Sequence, residues 1–372
     1  MWEIAETLQR CCRWVNSYAL GWGRPPSGRL MPPSQPKIVL HDHLDGGVRA
    51  QTVIDLAAEI DFELPRTDVG ELAGWFTIAP GMEFEQAWQR FYVVIAVLQS
   101  REALRRVARE AVEDLAADGV AYTELRFAPL NHIRAGLDPD DVLEAVVGGL
   151  ADGEAATGCV ARAIVCGLRE EDPERSVAAA RLAIDWKDRG VVGFDLAGNE
   201  SEFGVEPHRK AFQVARRGGL GITVHAGEMA GLDSIAAALE YAGPDRIGHG
   251  LNLIADCVVE DGRVTGLGPV AQAIVDQSLM LEVCLTSNSC RGTPKERHPV
   301  RLFHDAGIAV SVNPDDRAIT TTTVAEEYRL WRRLHGFSNE EFRSINMRAL
   351  EAAFIDEPTK ARLRPLIADG WA

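Results

Sequence analysis

An apolar stretch starting at Lys37 ends in His41-Asp42-His43. Alternate side chains of an extended strand share a face, so His41 and His43 reach one point while Asp42 turns away. An H-x-H pair at a strand end is a divalent-metal chelate. Later strand-like stretches end in residues of the same chemical kind: His225 in ITVHAGE, His249 in RIGHG and Asp315 in VSVNPDD. A lone histidine is more often packed and hydrogen-bonded than ligating. Recurrence at the ends of several strands favours a site over scattered core histidines. His41, His43, His225 and Asp315 make a nitrogen and oxygen donor set without sulfur, which suits Zn²⁺ and leaves a position open for water. The strand VVGFDLAG offers no lysine that could be carbamylated into a bridge, so one metal is expected rather than two.

Zinc brings the pKa of bound water toward about 7, which makes hydroxide available at neutral pH. Such a nucleophile needs an electrophile and proton carriers around it. Glu228, three residues beyond His225, can face a substrate, and apolar walls that raised its pKa would let it donate to a ring nitrogen. The alternative is a solvated or helix-capping glutamate. His249, between Gly248 and Gly250, sits where a base could hold or take the water proton; otherwise it is a packed structural histidine. Of the neighbours Asp315 and Asp316, one should ligate and the other reach the substrate, unless Asp316 only forms an Asx turn before the threonine run. Gly198, ending DLAGNE, exposes a backbone N–H to a planar ligand or is a plain turn glycine. Asp45 either reaches a substrate hydroxyl or caps the next helix.

The elements that must hold these residues alternate short β-branched runs with amphipathic helices, the pattern of a parallel sheet with crossover helices. Strands are expected over Lys37 to His41, Val120 to Arg126, Val160 to Val165, Val191 to Leu196, Gly221 to His225, Arg246 to His249, Leu281 to Cys284 and Ile308 to Asn313. Eight of them suggest an α/β fold closed as a (β/α)8 TIM barrel, with functional groups at the C-terminal strand ends. An open doubly wound sheet should carry a glycine-rich phosphate loop after its first strand, and HDHLDGG is not one. The stretch Arg101 to Asp118 puts Leu104, Val107, Ala108, Ala111, Val112 and Leu115 on one face and stops at Gly119. The long connection from Asp42 to Gly119 provides extra helices between the first two strands as a lid over the barrel mouth. Trp75, Phe76, Phe84, Trp88 and Phe91 either form its apolar cover or, for most of them, simply pack between helices, and Trp88 and Phe91 are the expected pocket wall.

The chain has 372 residues, 46% hydrophobic and 25% charged, as expected of a folded globular protein. A net charge of -16 opposes a general nucleic-acid binder, which needs Lys and Arg against phosphate. The seven cysteines include no C-x-x-C pair, which indicates neither a disulfide framework nor a thiolate zinc site and fits a reducing cytoplasm. No apolar run approaches the roughly 20 residues of a membrane span, and Glu3 and Glu6 stand where a secretion signal is positive. Residues 1–36 are expected to form a short helix and a Pro/Gly-rich linker, ahead of a catalytic domain over 37–372.

Taken in order, PKIVLHDHLDGG, AYTELRFAP, VVGFDLAGNE, TVHAGE, RIGHG, CLTSN and VNPDD resemble the adenosine deaminase branch of the metal-dependent amidohydrolase superfamily. The resemblance covers nearly everything after Pro36. It implies one Zn²⁺ on His41, His43, His225 and Asp315, with Glu228 as proton donor and His249 orienting and deprotonating the zinc water. It also implies that Asp316 and Gly198 grip a purine and that Asp45 meets the ribose 5′-hydroxyl, with His43 bordering the substrate. The implied reaction is hydrolytic deamination of adenosine or 2′-deoxyadenosine. The other zinc base deaminases carry a P-C-x-x-C signature, which this chain lacks.

Two departures from the family pattern bear on substrate preference: Pro314 precedes the paired aspartates and Arg317 follows them, where the family usually has Thr and Pro. Arg317 is expected to put a cation beside the pocket rim. HLDG (His43 to Gly46) resembles nucleoside deaminases rather than adenine-specific relatives, and a negative Asp45 should repel a 5′-phosphate. A modified adenosine such as aminodeoxyfutalosine is the alternative substrate. A catalytically silent nucleoside-binding barrel would show a broken ligand set, and none of these ligands is missing.

Overall fold

The computed structural model describes residues 35–371. Of residues 1–36, expected as a helix and linker, 1–34 lie outside the described residues, and so does the side chain of Phe84. Eight parallel strands form the barrel, in the order β1-β2-β3-β4-β5-β6-β9-β10. They are β1 (Lys37–His43), β2 (Val120–Phe127), β3 (Val160–Leu168), β4 (Val191–Ala197), β5 (Gly221–Ala226), β6 (Arg246–His249), β9 (Met280–Val283) and β10 (Ala309–Val312). Every expected strand is present. β1 runs two residues further than expected, so Asp42 and His43 lie within it.

Closure between β10 and β1 uses side-chain and backbone bonds together. Asn313 Oδ1 accepts from the Leu40 and His41 amides at 2.9 and 3.1 Å, and beyond it the His43 amide donates to the Asp315 carbonyl at 2.8 Å. The seam therefore runs straight into the putting-together of His41, His43 and Asp315. Asp315 takes φ 65° and His249 φ 63°, a region that costs an ordinary residue about 1–3 kcal/mol and that clusters at functional sites.

Between β1 and β2 lie α1 (Ala50–Glu59), α2 (Val69–Phe76), α3 (Phe84–Val97) and α4 (Arg101–Ala117). α4 starts at Ser100, whose hydroxyl accepts from the Ala103 amide. It buries all the residues expected on its apolar face, and Gly119 takes the positive φ that ends the segment. α3 carries Trp88 and Phe91, ring centroids 5.2 Å apart, to the pocket. Trp88 packs on Ala128, Cys166, Leu168 and Ala197 at the C-terminal ends of β2 to β4. Phe76 and Trp75 instead pack into the main core.

A hairpin, β7 (Cys257–Glu260) with β8 (Arg263–Leu267), stands outside the barrel and outside the sequence expectations. Its signal was Asp261-Gly262 between β-branched residues, and both take positive φ as a two-residue primed turn requires. Among the described residues no helix is long and apolar enough to cross a membrane.

Candidate active site

His41 and His43 from β1, His225 from β5 and Asp315 just past β10 offer ligand atoms that all lie within 4.8 Å of one another. His41 Nε2 and Asp315 Oδ1 are 3.0 Å apart, His43 Nε2 and Asp315 Oδ1 3.3 Å, and His43 Nε2 and His225 Nε2 3.1 Å. Donors around one tetrahedral zinc, with bonds of about 2.1 Å, stand about 3.4 Å apart. The spacing fits that geometry.

The protonation pattern fits as well. His41 Nδ1 lies 2.8 Å from Glu282 Oε2 and His225 Nδ1 3.1 Å from Asp195 Oδ2, so each ring gives its proton outward and turns a lone pair inward. This explains why His41 Nε2 and Asp315 Oδ1 approach within 3.0 Å yet neither has a hydrogen-bond partner among the described residues. Two lone pairs face each other there, and a cation between them resolves the conflict. Burial pushes His41 and His225 below the usual histidine range, so both are neutral at pH 7, as ligands must be. Burial also pulls His43 down, but Asp316 and Asp315 outweigh it and hold His43 up at about 10. Cys284 lies near His41, His249 and Asp315 in a second donor grouping, which lacks the His43 and His225 rings.

Beneath the donors the barrel core is charged. Arg126 donates to Asp195 Oδ2 at 2.9 Å and to Glu282 Oε2 at 2.8 Å, and Arg246 donates to Glu282 Oε1 at 2.6 Å and to Glu124. All these side chains are fully buried. Removing one partner of such a set costs about 3–5 kcal/mol, because a charge is left buried alone. The set fixes Glu282 and Asp195, which in turn orient His41 and His225. Sequence reasoning passed over it, although charged residues breaking apolar strands (Glu124, Arg126, Asp195, Glu282) were the visible signal.

Glu228 lines the pocket, Oε2 3.8 Å from His249 Nε2 and Oε1 accepting from Arg291 Nε at 3.1 Å. It does not cap the following helix, which starts after Gly231. Burial works to raise its pKa, but His249 and Arg291 prevail and leave it below the usual carboxylate value. The expected upward shift from apolar walls is therefore corrected: the wall beside Glu228 includes a guanidinium. The loop is braced by Glu200, whose carboxylate accepts from the amides of Gly227, Glu228, Met229 and Ala230 and from Ser234 Oγ. The sequence DLAGNE gives Glu200 no role by itself; the signal for one is a carboxylate facing a glycine-containing turn. Glu200→Gln keeps one acceptor oxygen and orphans part of this amide cluster. A shift of about 1 Å at Glu228 costs about a hundredfold in kcat. That loss, with metal content unchanged by elemental analysis, is the expected result.

Asp316 and Asp45 line the same pocket, and each has a buried Oδ1 without a hydrogen-bond partner among the described residues. Neither caps a helix. Burial, with Asp315 and Asp45 nearby, raises Asp316 well above the usual carboxylate range, while His43 works against that rise. Gly46 makes room for it: a Cβ there would come within 1.8 Å of Asp316 Oδ1. Gly198, φ 103°, also borders the pocket, and a Cβ on it would meet Glu170 Oε2 at 2.1 Å. Trp88, Phe91, Gly198 and Met229 surround the space between these polar groups. Arg317 departs from expectation: its Nε donates to Asp42 Oδ2 at 2.8 Å behind β1, and the side chain is nearly buried rather than at the rim. The charge of Asp42, turned away from the donors, is what draws it there.

A family profile described as adenosine deaminase matches residues 36–370. An adenosine deaminase from Mycobacterium marinum is 40% identical over 351 residues, which span 89% of this chain and 96% of that protein. Among solved structures, an adenine deaminase from Arthrobacter aurescens aligns with TM-score 0.81 at 24% identity, covering 90% of this chain and 98% of that one, a likeness of fold. An amidohydrolase from Burkhoderia ambifaria with bound Zn aligns with TM-score 0.78 at 26% identity, covering 91% of each chain.

Proposed function

The chain belongs to the adenosine deaminase family, and on that premise we propose that it hydrolyses adenosine and 2′-deoxyadenosine to inosine, 2′-deoxyinosine and ammonia, using one zinc ion per chain. The protein is a hydrolase that deaminates nucleosides. The observation that carries the finer reading is the convergence of His41, His43, His225 and Asp315 beside a pocket holding Glu228 and Asp316. These four residues would hold the ion, which supplies hydroxide at neutral pH by lowering the pKa of water toward about 7.

The chain's own groups do the rest. Glu228 delivers a proton to purine N1, which draws electron density from C6 and opens it to attack. His249 orients the attacking water through Nε2. Asp316 and the Gly198 amide hold the ring in register, and Asp45 receives the ribose 5′-hydroxyl on its unpartnered oxygen. Trp88 and Phe91 of α3 cover the base, and α3 is the element that would shut the pocket against bulk water.

The test is a panel of adenosine, 2′-deoxyadenosine, adenine, AMP and an adenosine with a bulky 5′ substituent, followed by the ultraviolet change on loss of the 6-amino group. The two free nucleosides should turn over, and AMP should trail by at least about tenfold, one unfavourable charge contact being about 1.4 kcal/mol or more. Preference for AMP or for the bulky analogue would overturn the assignment of Asp45.

A further inference from the structure

A buried chain of hydrogen bonds reaches the site through His249. The Val300 amide donates to His298 Nδ1 at 3.1 Å, His298 Nε2 lies 3.1 Å from Asn288 Oδ1, and Asn288 Nδ2 lies 3.1 Å from His249 Nδ1. His298, Asn288 and His249 are all buried. The backbone amide fixes every polarity in this chain. An N–H cannot be an acceptor, so His298 Nδ1 is a bare lone pair and its single proton sits on Nε2. That proton needs an acceptor, which is Asn288 Oδ1, so the Asn288 amide nitrogen faces His249. His249 Nδ1 accepts it and leaves the His249 proton on Nε2. Turning the Asn288 amide over would leave both His298 nitrogens accepting, which a neutral or cationic imidazole cannot do. Burial also drives His298 down to about 3, so it stays neutral.

We propose that Asn288 and His298 are positioning residues that impose the Nε2–H form on His249, making it a hydrogen-bond donor to the attacking oxygen rather than the base that removes its proton. This rests on the deaminase reading of the site and reverses the expectation that His249 deprotonates the water. His249 Nε2 points at Glu228 Oε2 and Asp315 Oδ2, at 3.8 and 3.9 Å, the separation across which one oxygen can lie between them. The first proton released by water then goes to the Glu228 carboxylate and from there to N1, the second passes from the added oxygen to the 6-amino group as the C6–N bond breaks and ammonia leaves, and the charges balance without His249 changing its protonation.

Two substitutions separate this role from simple packing. His298→Asn keeps an oxygen where Nδ1 stood, so it can still accept from the Val300 amide, but it loses the donor to Asn288. His298→Gln places an amide N–H where Nε2–H stood, so it keeps that donor and weakens the Val300 contact. The proposal expects kcat for adenosine to fall about 10- to 100-fold in His298→Asn with KM unchanged, and to stay close to wild type in His298→Gln. The reverse order marks a structural role and overturns it. Long-range ¹H–¹⁵N spectra of the wild-type zinc enzyme, which need neither variant nor turnover, should show His249 and His298 both protonated at Nε2. A His249 protonated at Nδ1 would sink the proposal even if adenosine is deaminated, and inactivity toward adenosine with the expected tautomers would count against the substrate reading alone.

Discussion

Replacing His225 by alanine is expected to leave a folded protein that binds no zinc at one equivalent per chain and turns adenosine over at background. Measured against enzyme accelerations of about 10⁶ or more, the fall should be at least about 10⁴-fold. Folding should survive because Asp195 loses only its His225 contact and keeps Arg126 at 2.9 Å. Dialysis of the wild type against a chelator should have the same effect on turnover, with zinc restoring it in the wild type and not in the variant. Zinc loading should also depend on pH in a definite direction. His43 is held up at about 10 without the ion, so between pH 6 and 8 it carries a proton that a ligand cannot keep. Each loading event displaces that proton, and affinity in a chelator competition should rise about tenfold per pH unit as pH increases. Full zinc occupancy in His225→Ala, or loading indifferent to pH, would remove this donor set from its assigned role.

The parts of this site legible in the sequence were those that combine a rare residue type with a strand end. His41, His43, His225, His249 and Asp315 each close an apolar run, and the barrel geometry then brings such ends together. What stayed hidden acts through other residues. Glu282, Asp195 and Arg126 sit within strands and are meaningful only once the barrel interior sets them against His41 and His225. Glu200 reads as a loop glutamate until four amides from a segment some thirty residues away turn toward it. Arg317 shows the opposite failure. Its neighbours placed it at a rim, but chain direction after Asp316 carries it to the outer face of β1, where the buried Asp42 holds it. Burial pulls Asp42 up to about 6, and Arg317 is the counter-charge that keeps it ionised at neutral pH.

Glu228→Gln tests the remaining link, from geometry to proton transfer. The amide fills the same space and its oxygen can still accept from Arg291, so the pocket and the zinc content should be unchanged. What is lost is a group able to gain and give a proton beside N1. General acid–base transfer is worth about 10²–10⁴-fold, and kcat should fall by that factor while KM for adenosine moves little. The pH dependence carries a further sign. Burial works to raise Glu228, but His249 and Arg291 hold it below the usual carboxylate range, so it is ionised in the free enzyme at neutral pH. If Glu228 must start ionised to collect the water proton, protonating it from below removes activity, and kcat/KM has an acidic limb. Arg291→Met takes away the guanidinium that donates to Glu228 and should move that limb to higher pH. A limb that stays in place, or a Gln variant as fast as wild type, would show that the proton reaching N1 comes from elsewhere.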